Sequence, residues 1–195
     1  MTSISVIDHA RADLQKLINS IENPAPGLIM AGRAVAKLLR KHYEQKHANE
    51  PNKLGGKRQN FWLRVKHGVN EPRQTAPDQV TVSVSDPAIM QKIKGGTISA
   101  KRATMLTIPV DPRAYGRAAS VLEHELGIKL VLVAKSGRAF LAGRITKGKG
   151  SGLRVFYVLK KSVNQRPDPT ALPPEEQITQ TATDAFNAWI KRGGH

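Results

Sequence analysis

No cysteine occurs among the 195 residues, which removes disulfide staples, thiolate zinc sites and thiol nucleophiles together. The absence fits synthesis in a reducing compartment. Aromatic residues are scarce at 5%, and the hydrophobic fraction is only 39%. A core drawn from such a chain is aliphatic and small, or is completed by contacts between subunits. No run approaches the ~20 apolar residues that span a bilayer. The stretch up to Leu17 carries acids and a helical apolar period instead of a basic head followed by an apolar run. No secretory signal is therefore expected, and the chain reads as soluble and made inside the cell.

Acidic residues are the other shortage: 15 Asp and Glu stand against 31 Lys and Arg, a net of +16 with an isoelectric point near 10.4. The excess is concentrated in residues 33–161, which hold 26 basic and eight acidic side chains. A field of one sign favours nucleic acid or an acidic protein surface. The competing reading is a well-solvated exterior.

The apolar pattern outlines the elements. Val6, Ile7, Ala10, Leu14, Leu17, Ile18 and Ile21 share one helical face, and the prolines at 24 and 26 end that helix. A second helix is predicted from Leu28 to Lys46, with Arg40 and Glu44 spaced for a local ion pair. Phe61–Lys66 alternates as a strand, placing Phe61 inside and Trp62 opposite, and is expected to pair with Val80–Val84. Asp86 and Pro87 open a short helix. Further strands are predicted at Met105–Pro109, Leu130–Ala134, Phe140–Ile145 and Leu153–Leu159, the last three as a meander. The unbroken run Leu130–Val133 suggests burial on both faces. A final helix begins at Pro173–Glu176, and its apolar face (Ile178, Ala182, Ala185, Phe186, Trp189, Ile190) is expected to dock on the sheet. The fold class is α+β: a single domain with a curved, mainly antiparallel sheet flanked by an N-terminal helix pair and a C-terminal helix. Residues 1–24 form a helical extension, and 25–195 the main domain with a long basic loop at 47–60.

Catalytic signatures fail on inspection. Residues 143–149 match GxxxxGK, but Gly150 stands where a P-loop needs Ser or Thr, and a strand follows where a helix must open. Glu123-His124-Glu125 lacks the second histidine of a zinc helix, since Ile128 occupies that position. No histidine or serine lies in a nucleophile elbow or ordered triad. No catalytic residue, cofactor or metal site is assigned, and the chain is read as not an enzyme. Binding remains. Lys53, Lys57, Arg58, Arg64 and Lys66, beside Phe61 and Trp62, would suit phosphates and stacked bases.

Three phrases carry a likeness to known proteins. They are His47–Trp62 (HANEPNKLGGKRQNFW); Gly95-Gly96-Thr97 leading to Leu106–Gly116 (LTIPVDPRAYG); and Val158–Pro173 (VLKKSVNQRPDPTALP) before the last helix. In this order the chain resembles the virion-morphogenesis, or tail-completion, family of Mu-like and P2-like phages across roughly residues 28–190. The resemblance implies a non-catalytic structural protein of the phage neck, found in the virion and in the host cytoplasm during assembly. It implies a homo-oligomeric ring, hexameric or alternatively dodecameric, between tail-tube and head-connector proteins. The tail terminator is the position assigned, and DNA in the channel is a further partner.

Set beside that resemblance, the glycine bend at 55–56 marks an arm toward a neighbour. The subunit or partner interface is assigned to Asn52, Lys53, Leu54, Gly55, Gly56, Lys57, Arg58 and Trp62. Phosphate or acidic-partner contacts are assigned to Lys94, Lys101, Arg102, Lys147 and Lys149. The rival function is nonspecific nucleic-acid binding through the basic middle.

Overall fold

The computed structural model describes residues 10–50, 60–101, 103–145 and 152–193. The architecture is α+β with every strand pairing antiparallel. The chain divides into two compact units: one built from 10–47, 62–89 and 169–193, the other from the described parts of 48–61 and 90–168.

The first unit is mainly helical. It contains α1 (Ala10–Glu22), α2 (Ala25–Asn49), α3 (Phe61–His67, of which Phe61 falls to the second unit), α6 (Glu175–Lys191) and the hairpin β1 (Arg73–Ala76) with β2 (Gln79–Thr81). Helix α2 starts where the prolines stop α1, and Leu28 N–H already reaches Pro24 O at 2.9 Å. Its buried residues Ala31, Ala36, Leu39 and Tyr43 follow helical spacing. Small residues at the contacts matter here. A Cβ on Gly32 would press on Pro72 and Val80, and one on Gly27 would lie inside the rings of Trp189 and Phe186. The apolar face of α6 is thus seated on the start of α2, which corrects its expected docking on the sheet.

The segment 61–67 is a helix, which corrects the predicted strand. Trp62, Val65 and Val69 are the buried positions, at steps of three and four. That spacing competes with the alternation of Phe61, Leu63 and Val65, and a short apolar run satisfies both periods. Val84 pairs with Val69 through an isolated bridge. Arg40 and Glu44 do not pair with each other: Arg40 reaches Glu71 at 2.7 Å and Glu44 holds Lys66 at 2.9 Å. Asp86 caps α4 (Pro87–Lys94) as expected, its Oδ1 accepting from Ala88 N–H at 2.8 Å and its Oδ2 from Arg64 Nε at 2.5 Å.

The second unit contains a four-stranded sheet ordered β4 (Leu106–Pro109), β7 (Gly152–Lys160), β6 (Arg138–Ile145) and β5 (Leu130–Lys135). A separate pair joins β3 (Gly96–Ser99) to β8 (Ser162–Gln165). Ser136 and Gly137, at φ 51° and 72°, make the two-residue turn between β5 and β6 that suits strand twist. One sheet face is closed by α5 (Ala119–Leu126) and the turn before it: Leu122, Ala114, Tyr157 and Phe156 form the buried cluster, with Leu130, Leu141 and Ile145 against it. Phe156 is the extra residue of a bulge, since Leu141 faces Tyr157 while Ala142 faces Val155. The expected burial of Leu130–Val133 on both faces is corrected. β5 is an edge strand, and Val131 and Leu132 are exposed at 48% and 67%.

Candidate assembly surfaces

The charge divides unequally between the units. Residues 48–61 and 90–168 carry 19 basic and five acidic side chains, a net of +14, which leaves +2 for the rest of the chain. Four of the five acids of this unit, Asp111, Glu123, Glu125 and Asp168, are occupied from within. Asp111 is buried and holds Arg113 Nε at 3.0 Å and Arg154 Nε at 2.7 Å. Glu125 holds Arg117 at 2.6 Å, Asp168 faces Lys92 at 3.9 Å, and Glu123 accepts the Leu130 N–H at 2.6 Å. The unmatched cations are surface groups. Lys129, Lys135, Arg138, Arg144, Lys160 and Lys161 are exposed and have no ion pair among the described residues.

Asp111 organises the covered side of the sheet. Its Oδ1 also accepts the Arg113 N–H at 2.9 Å, closing the turn that leads to α5. Arg113 then lies over the Phe156 ring, its Cζ 5.4 Å from the centroid, while Tyr157 donates to Arg117 O at 3.0 Å. Burial alone pushes the Asp111 carboxyl up. The hydrogen bonds from Arg113, with the charges of Arg113 and Arg154, outweigh burial and hold it below the usual carboxylate range. Asp86 has the same balance: burial raises it, and Arg64 with the Ala88 N–H brings it lower. Both carboxylates thus stay ionised as structural anchors. Glu123 and Glu125 likewise have structural partners, and no group of three His, Asp or Glu residues among the described residues could hold a metal ion.

The sequence-assigned contacts fall into three groups. Asn52, Lys53, Leu54, Gly55, Gly56, Lys57 and Arg58 lie outside the described residues, as do Arg102, Lys147 and Lys149. Lys94, at the end of α4, and Lys101, just past β3, are exposed. Trp62 requires a correction. It is 7% exposed, stacks on Tyr43 at 5.8 Å and 10° between planes, and has Lys46 Nζ over its ring at 4.8 Å. Lys46 is itself buried and donates to Thr170 Oγ1 at 2.6 Å, and His42 Nε2 donates to Thr170 O at 3.0 Å. A ring held this way belongs to the core of its unit and is not displayed to a partner.

Sequence reasoning missed the cations of the sheet, Lys135, Arg138, Arg144 and Lys160. Their strands were legible, but which of them share a face depends on register. The exposed apolar residues of α1 form a second open surface: Leu14, Leu17, Ile18 and Ile21 are 41–69% exposed. Among the described residues no helix is long and apolar enough to cross a membrane. No protein-family model, curated protein or solved structure matches this chain.

Proposed function

We propose that this chain is a non-catalytic assembly subunit of the phage neck, acting as the tail terminator in a hexameric ring between tail tube and head connector. The observation that carries the assembly role is the uncompensated charge of the sheet unit. Four of its five acids hold internal partners while Lys129, Lys135, Arg138, Arg144, Lys160 and Lys161 stand exposed without an ion pair among the described residues, and such a surface favours a partner of complementary charge. The open apolar face of α1 supports the same reading, because a helix that leaves its large aliphatic residues in water gains stability from a neighbour. The phage location rests on the resemblance of the three sequence phrases.

Electron microscopy and mass photometry of the purified protein test the proposal. The expected result is a closed ring that attaches to the ends of tail tubes. A protein that stays monomeric and never joins tail tubes would sink it. The basic sheet unit also favours a second reading, nonspecific binding of nucleic acid, which salt dependence separates from the first.

A further inference from the structure

The strand register gathers an apolar and basic surface on the side of the sheet opposite α5. Pairing places Lys135 across from Arg138, Val133 from Phe140, and Val131 from Ala142. It continues from Phe140 to Val158, from Ala142 to Val155, and from Arg144 to Leu153. These residues alternate with the Leu130, Leu141, Ile145 and Tyr157 positions packed toward α5. The register carried one residue further sets Lys160 across from Arg138, and Lys160 is paired with Leu106 on the next strand. Lys135, Arg138 and Lys160 therefore form one row across three adjacent strands.

Such a row is unfavourable in the isolated protein. Neighbouring strands are about 4.8 Å apart, and like charges directly opposite one another destabilise a sheet. No acid pairs with any of the three among the described residues. Beyond the row Val131, Val155 and Leu153 are exposed at 48%, 39% and 66% around Ala142, which is fully buried, while Val133, Phe140 and Val158 are half-buried, and exposed Arg144 stands beside Leu153. An aliphatic field is thus bounded by cations at both ends.

We infer that this face docks an acidic protein surface with an aliphatic centre. Carboxylates would meet the two cationic ends, and apolar side chains would cover Val131, Leu153 and Val155. The composition selects this occupant over two others. Single-stranded nucleic acid stacks on aromatic platforms, and Phe140 is the only aromatic ring among the face positions, where it is half-buried. A second copy of the face would oppose cations with cations. The inference rests on the assembly-subunit reading only for the class of partner.

The test is direct binding by the full-length protein. The probes are a labelled peptide of alternating Leu and Glu, its Leu and Lys counterpart, and a thymidine oligonucleotide. The Leu/Glu peptide should bind, and Arg138→Glu and Leu153→Asp should each weaken it about tenfold, with wild-type circular dichroism and melting because both side chains are exposed. The Leu/Lys peptide should not bind. Failure of the Leu/Glu peptide to bind, or binding that ignores both substitutions, overturns the inference. So does an oligonucleotide that alone binds and is lost in Arg138→Glu, and so does an oligomer dispersed by Leu153→Asp, which would make the face a self-interface. Ring formation is scored separately on the same variants. An intact ring with no peptide binding overturns this face while leaving the proposed function standing.

Discussion

Asp111 stabilises the fold through its charge, so its contribution has a defined pH window. In the folded chain its carboxyl sits below the usual range despite burial, because Arg113 and Arg154 favour the ionised form. In the unfolded chain it returns to about 3.9. Its contribution is therefore complete above about pH 4 and is lost as the pH falls through the lower folded value. Replacing Asp111 with Asn should cost about 1–3 kcal/mol near neutrality, since two arginines lose their counter-charge while both keep partial solvent access. It should also flatten the decline in stability below about pH 4. Urea titrations at neutral and acidic pH measure both, and wild-type stability near neutrality would remove Asp111 from its anchoring role. At this scale the sequence was partly legible. Asp86 ahead of Pro87 announced a helix cap from adjacent residues, whereas the Asp111–Arg154 pair joins positions that only the fold brings together.

Helix α2 was readable from its apolar period, but its partner was not. The contact with α6 depends on Gly27, where the missing side chain admits the Trp189 and Phe186 rings. Gly27→Ala should destabilise the protein by about 1–3 kcal/mol through overpacking, against a helix-propensity gain of at most ~1 kcal/mol. A thermal melt should show a fall of several degrees, and Trp189→Leu in the same background should recover part of it. An unchanged Tm in Gly27→Ala would mean the helices are not held at this point. Segment 61–67 shows why local pattern misleads. Seven residues satisfy both the two-residue and the helical period, and the stacking of Trp62 on Tyr43 distinguishes them.

For the whole molecule, the net charge of +16 is a statement about partners, not about fold. If the exposed cations serve an acidic protein, duplex DNA should bind only weakly and be released at about 0.15 M salt. A plot of log affinity against log salt should then have a slope shallower than about −3, corresponding to few neutralised phosphates. Tight binding that persists at that salt with a steeper slope would favour the nucleic-acid reading over the neck-subunit one. Fluorescence anisotropy across a salt series decides between them.

The sequence alone determined the α+β class, the existence of the long helices and the meander of β5 to β7, since these follow from local periodicity and turn chemistry, whereas α2 runs three residues further at each end than the predicted Leu28–Lys46. It also showed the absence of cysteine and the scarcity of aromatics and acids. Only the tertiary structure decided that Trp62 is core, that β5 is an edge, that four of the five acids of the basic unit are internally committed, and that Lys135, Arg138 and Lys160 fall in one row. The reason is the same in each case. Burial, edge position and charge pairing depend on contacts between residues far apart in sequence, and a strand pattern leaves its neighbours and register open.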